Sequence, residues 1–221
     1  MKKIQNVFNK MGQVYLEDPV KAVRGQSFIK ILHKYVADEI RLRLNEKAKR
    51  EGVEVIEEAK VFGSNKAKDV DVALIHPKSG PLLLIGFRSQ MSSVSKNVLT
   101  YYEDIIGESI SLQDRFPLAV HCYVYLHPLE SIKKGLETEK IDHDRYAKMY
   151  DKITGRSLET RTYKQIRGIY DHFSYVVADF NNGSFKEDWS SICTNDLRIS
   201  NFVDRVIKTL NDRLFFTNYF D

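Results

Sequence analysis

The sequence predicts a single α/β domain in which a central mixed sheet is flanked by helices. Three observations carry this. Asp69 to Arg88 (DVDVALIHPKSGPLLLIGFR) reads as two short strands around a Pro-Lys-Ser-Gly turn, which suits an antiparallel hairpin. Pro117 to Leu126 (PLAVHCYVYL) is a nearly continuous apolar, β-rich run, as expected of a strand covered on both faces. Ser27 to Arg50 and Val94 to Glu108, on either side of the hairpin, space their apolar residues as helices do. The order is α-β-β-β-α-β, then an insertion, a further strand and a closing helix.

Taken in turn, residues 1 to 24 are mixed and form a short helical arm ending near Asp18-Pro19. In the helix that follows, Phe28, Leu32, Tyr35, Val36 and Leu42 fall on one face, with Ser27 as its cap and Gly52 as its end. Glu39 lies within that apolar stripe. A carboxylate there is paired, neutral or liganded, because an unpaired buried charge is costly, unless it lies at the margin and reaches solvent. Val53 to Phe62 is a strand and Gly63 to Lys68 a loop; the hairpin strands are Asp69 to Ile75 and Leu82 to Arg88. Ser92 or Ser93 caps the helix from Val94, Phe173 to Phe180 is a fifth strand, and Leu197 to about Leu214 closes the chain as an amphipathic helix.

At 221 residues one large domain is expected over residues 1–221, with a core at about 25–126 and 173–216 and an insertion at about 128–172. No apolar run approaches the ~20 residues of a membrane span, so no membrane partner is expected. The start, MKKIQNVFNK, lacks the apolar core of a secretory signal. Cys122 and Cys193 form no CxxC pair, which suits reduced, buried thiols in a cytoplasmic protein. Net charge is only +4, so its distribution matters more than its size.

Alternation puts Asp69 and Asp71 on one face of the first hairpin strand. On the second, Leu84, Gly86 and Arg88 share a face, and Leu83, Ile85 and Phe87 take the other. An acidic pair beside an apolar strand that ends in Arg88-Ser89-Gln90 is not what a pure core strand needs. The bland reading is a hairpin with solvent-facing charges and an Arg88–Asp71 surface pair worth little. His76, His121 and His127 read as structural.

This order, with Asp71 or Asp69 opening one strand and Gly86-Phe87-Arg88 in the E-x-K place of the next, resembles the PD-(D/E)XK nuclease superfamily, in particular type II restriction endonucleases. The resemblance covers roughly residues 25 to 126, and GFRSQMSSVSKN looks like the polar run that follows the signature lysine in several such enzymes. It implies a restriction-endonuclease-like αβββαβ core and a Mg²⁺-dependent, sequence-specific DNA endonuclease of a restriction-modification system. Phosphodiester hydrolysis needs Mg²⁺ on hard oxygen ligands and a cation for the charge developing on phosphorus. Two departures stand out. Gly86 cannot ligate metal, and Arg88 is always protonated and cannot be a general base. Asp69 and Asp71 together, or a helical carboxylate such as Glu39 or Glu103, could complete the site; otherwise it is inactive and the protein binds DNA without cutting it. The expected catalytic set is therefore Asp71, Arg88, Asp69, Glu39 and Glu103, with Asp71, Asp69 and Glu39 as metal ligands.

Gln90, Ser92, Ser93, Lys96 and Asn97, at the start of a helix, suit contacts to DNA phosphates. The insertion adds Arg145, Lys148, Lys152, Arg156, Arg161, Lys164 and Arg167, interleaved with Tyr146, Tyr150, Tyr163 and Tyr170. Bases at this density suit double-stranded DNA, although Asp142, Asp144, Asp151, Glu159 and Asp171 dilute the charge. A palindromic target implies a homodimer.

Overall fold

The computed structural model describes residues 2–132, 138–156 and 169–221. The chain begins with α1 (Lys2–Glu17) and α2 (Pro19–Gly25), parted at Asp18, whose carboxylate caps α2 by accepting from the Lys21 N–H. Then come α3 (Ser27–Arg41), α4 (Glu46–Arg50), β1 (Glu54–Phe62), β2 (Ala67–His76), β3 (Gly80–Ser89), α5 (Val94–Arg115) and β4 (Val120–Pro128). A short pair, β5 (Glu130–Ile132) and β6 (Thr138–Lys140), leads to α6 (His143–Lys152), β7 (His172–Asp179), β8 (Ser184–Lys186) and α7 (Phe202–Arg213).

Six strands form one sheet in the order β1-β2-β3-β4-β7-β8. The β1–β2, β2–β3 and β7–β8 pairs are antiparallel, and β3–β4 and β4–β7 are parallel, so the sheet is mixed as expected. Every residue of β4 is buried, which accounts for its unbroken apolar run. Its side chains still alternate. Cys122, Val124 and Leu126 join a core with α1, α3 and α7, whereas Tyr123 and Tyr125 join a second core with α5 and α6. The sheet is thus the middle of three layers.

Several boundaries differ from expectation. The helix expected over 27–50 breaks at Leu42–Asn45, where Leu44 bridges to Phe220 and the Asn45 side chain caps α4. Leu42, assigned to the buried stripe, is 73% exposed; the buried face is instead Phe28, Ile29, Leu32, His33, Val36, Ala37 and Ile40. α5 runs nearly two turns beyond Glu108, to Arg115. The closing helix starts only at Phe202, because Leu197 accepts backbone and side-chain bonds from β7 through its carbonyl.

The described part of the insertion packs on the core. α6 buries Tyr146, Ala147 and Tyr150 against Tyr125, Phe173 and Tyr175, so these tyrosines, expected between DNA-contacting bases, are core residues; Tyr163 lies outside the described residues. Tyr150 stacks on Phe173 at 4.8 Å, and Tyr170 is buried with its hydroxyl donating to the Ile105 carbonyl.

Candidate metal centre

Strand register assembles the site. Glu57 pairs with Val72 and Ala59 with Val70, which sets Glu58 directly across from Asp71. On the other side Val72 pairs with Ile85, so the next position opposite Asp71 is Gly86, which pairs in turn with Tyr123. Glu58, Asp71, Gly86 and Tyr123 therefore form one row across the sheet. The β2–β3 ladder stops at Val72–Ile85 and the two strands part there. Phe87, paired with Val124 on β4 but with no residue of β2, donates its N–H to Asp71 Oδ2 at 2.7 Å. Glu58 interrupts the β1–β2 pairing with a left-handed backbone (φ 55°), an uncommon conformation for a glutamate and one that concentrates at functional sites.

From the other layer, α3 brings His33. Its ring is 2% exposed and packs against Phe87 at 4.4 Å between centroids. Nδ1 lies 3.7 Å from Asp71 Oδ1 and 3.8 Å from Glu58 Oε1, too far for hydrogen bonds, and neither ring nitrogen has a hydrogen-bond partner among the described residues. His33, Glu58 and Asp71 offer three ligand atoms within 4.8 Å of one another. Burial, with Lys30 adding to it, lowers the His33 pKa to about 4 and keeps the ring neutral. Burial lifts Asp71 to about 7, and Glu58 and Glu108 push the same way against the Phe87 N–H. A buried imidazole without a partner beside two carboxylates, one of them reluctant to ionise, is a donor set suited to a dication.

Asp71 also lines a cleft of about 380 Å³, together with Asp69, Gly86, Arg88, Tyr101 and Glu108 among others. Arg88 lies over the Tyr101 ring at 4.4 Å and its guanidinium is 3.9 Å from Asp104. Tyr101, Asp104 and Glu108 are spaced i, i+3, i+7, one face of α5. Burial raises the Glu108 carboxyl, and Asp104 nearby adds to the shift.

Of the expected site residues, Asp71, Asp69 and Arg88 share this cleft. Asp69 sits at its rim, with its side chain 78% exposed and 3.9 Å from Lys60. Glu39 does not join it. Six residues beyond His33, or about 9 Å along the helix, its carboxylate is held by Lys3 and by Arg43 Nη1 at 2.9 Å. Glu103 is exposed on the far side of α5, and Glu108 takes the place assigned to it. At Gly86, where the resemblance would place a second acid, there is no room for a side chain. A Cβ there would lie 2.5 Å from Tyr123 Cε2 and 2.7 Å from Cδ2, so the tyrosine ring fills the space a larger residue would take.

The expected DNA contacts divide. Ser92, Lys96, Arg145 and Lys152 are exposed, Ser93 and Asn97 half-buried. Arg145, Lys148 and Lys152 form a stripe on α6 at i, i+3, i+7. Gln90 is buried; its amide donates to the Ser93 and Val94 carbonyls and accepts from the Tyr125 hydroxyl at 2.9 Å, so it braces the turn into α5. Ser93 stands at the helix start in a left-handed conformation and makes no capping bond. Arg156 is a structural residue. It donates to the Ala119 carbonyl at 2.9 Å and lies 3.4 Å from buried Asp171. Arg161, Lys164 and Arg167 lie outside the described residues.

His33, Glu58 and Glu108 escaped sequence reasoning. His33 was legible only as a histidine on the Ile29–Val36–Ile40 stripe. Glu58 could have been found by pairing the first strand with the hairpin, which sets it opposite Asp71. Comparison with protein-family models, curated proteins and solved structures finds no match. The geometry of the cleft therefore carries the functional reading.

Proposed function

We propose that this chain is a divalent-metal-dependent deoxyribonuclease that hydrolyses phosphodiester bonds in double-stranded DNA, of the sequence-specific restriction type. One observation carries the reading: a metal-competent cluster, His33, Glu58 and Asp71, sits at the parting of two strands and shares Asp71 with a polar cleft lined by Arg88 and Glu108. A bound dication would be held by those three residues and would supply Lewis-acid activation of a phosphate and of an attacking water. Mg²⁺ is the ion that the resemblance implies.

The chain's own groups have distinct tasks. Arg88, oriented by Tyr101 and Asp104, presents a permanent positive charge to a phosphate oxygen. Glu108, whose carboxyl burial pushes up, is placed beside Arg88 to take part in proton transfer. Asp71 is anchored by the Phe87 amide and keeps one oxygen for the cluster. Lys96 at the start of α5 and the Arg145–Lys148–Lys152 stripe would neutralise backbone phosphates, and Ser92 and Asn97 would donate hydrogen bonds to them. A palindromic target would call for a two-fold dimer.

A second reading, a nuclease-fold protein that binds DNA without cutting it, is favoured by the Tyr123 ring over Gly86, which excludes the usual second acid. Digestion of plasmid or phage DNA with Mg²⁺ or Mn²⁺, beside EDTA and Asp71→Ala controls, separates the two. Discrete fragments lost in both controls support the nuclease. Retarded but intact DNA, with affinity that falls steeply with salt, supports the binding protein. Neither cutting nor binding sinks both.

A further inference from the structure

The donor set in the cleft departs from what Mg²⁺ selects. Mg²⁺ demands near-ideal octahedral oxygen coordination and is usually held by carboxylates and waters. Here the position that would add a carboxylate is Gly86, closed off by Tyr123. The third donor of the cluster is instead an imidazole. That imidazole is no incidental neighbour. It is 2% exposed, and both its nitrogens lack hydrogen-bond partners among the described residues, a costly arrangement for an interior polar ring. Phe87 fixes the ring from one side, while Ile29, Val36 and Ala37 of the same helix anchor its backbone in the core. The two carboxylates lie at 3.7 and 3.8 Å from Nδ1, on the side where a shared ion would sit. Lys30, half exposed, lies 3.4 Å from Glu58 Oε1.

We propose that His33, Glu58 and Asp71 form a site for a divalent transition-metal ion, bound through the His33 ring nitrogen, in preference to Mg²⁺. The inference rests on reading the cleft as a metal centre and deepens it by naming the ion class. Imidazole nitrogen strengthens binding of first-row transition ions, whereas Mg²⁺ gains little from it. Coordination would also give the orphaned imidazole the partner that it lacks within the fold.

The test uses the full chain, stripped of metal, titrated separately with Mn²⁺ and Mg²⁺ by calorimetry and, for Mn²⁺, by the electron paramagnetic resonance signal of the free ion. One tight Mn²⁺ site is expected, with Mg²⁺ weaker by at least about 10–100-fold, the scale on which ligand-shell changes move metal affinity. Pulsed electron paramagnetic resonance of the bound Mn²⁺ should show coupling to one ¹⁴N nucleus. His33→Gln should abolish that coupling and lower Mn²⁺ affinity by the same factor, leaving Mg²⁺ affinity nearly unchanged. If His33→Gln fails to fold, Glu58→Gln on the half-exposed side of the cluster should weaken Mn²⁺ binding while the nitrogen coupling persists. Equal affinity for the two ions, or bound Mn²⁺ without nitrogen coupling, overturns the proposal. Mg²⁺-dependent DNA cleavage with no Mn²⁺ preference would refute the ion class and leave the nuclease reading standing. Nitrogen-coupled Mn²⁺ without any DNA cleavage would do the reverse.

Discussion

Substituting Gly86 by alanine probes the contact that distinguishes this cleft from the pattern it resembles. The new Cβ would stand 2.5 Å and 2.7 Å from two carbons of the Tyr123 ring, closer than carbon atoms tolerate. The ring has little freedom to withdraw. It is 3% exposed, stacked on Phe173 at 5.6 Å and tilted against Tyr170 at 5.4 Å. Overpacking of this kind costs about 1–3 kcal/mol. Replacing glycine also restricts the unfolded chain, which returns about 0.4–1 kcal/mol because Gly86 does not use a left-handed backbone. The net expectation is a loss of about 1–2 kcal/mol, or a fall of about 2–8 °C in Tm for a chain of this size. Urea denaturation of Gly86→Ala, Tyr123→Leu and the double variant measures it. Tyr123→Leu alone should be destabilising, but in its background Gly86→Ala should be nearly neutral, giving a coupling of about 0.5–3 kcal/mol. A Gly86→Ala protein within about 0.5 kcal/mol of wild type would refute the reasoning, since surface-like tolerance would mean that Tyr123 does not occupy the acid position.

Other perturbations address the remaining assignments. Asp171 is buried and accepts from Arg213 Nη2, at a distance of 2.6 Å, and from the His121 amide, so Asp171→Asn should cost about 3–5 kcal/mol by chemical denaturation. Arg156→Ala should then lower stability, rather than reduce DNA affinity alone. Burial lowers the pKa of His121 to about 4, with Asp171, Arg156 and Arg213 as its charged neighbours. Between pH 6.5 and 4 the unfolded chain binds a proton there that the folded chain refuses, so stability rises with pH across that window. As pH falls through it, about 3 kcal/mol is lost through this ring. His121→Gln should remove that share of the acid sensitivity; an unchanged pH–stability curve would exclude it. Glu39→Gln should leave Mn²⁺ affinity within about twofold of wild type, because its carboxylate belongs to the Lys3–Arg43 network. A large loss would return Glu39 to the metal site.

The sequence by itself determined the elements whose pattern is local. The hairpin from β2 to β3 followed from alternation around a Pro-Lys-Ser-Gly turn, and the buried central strand β4 from an unbroken apolar run; both are in the fold. Asp71 and Arg88 stood out in the sequence as charges beside apolar strand residues, and both line the cleft. What only the tertiary structure decided is which distant groups meet Asp71. His33 comes from a helix in another layer and Glu58 from the strand across, and both depend on a register and a helix phase that an error of one residue would undo. Glu39 and Glu103 were chosen by type and proximity in the chain, but helix rotation turns them toward other partners. Tyr146, Tyr150, Tyr170 and Arg156 of the insertion looked like a nucleic-acid surface, since composition does not reveal which side of a segment is buried. Packing against the aromatic face of the sheet, and the ion pair with Asp171, turned those groups inward. The departure of Gly86 from the pattern the sequence resembles was visible in the sequence. What closes the position, a tyrosine ring from the neighbouring parallel strand, is there only when the strands lie side by side.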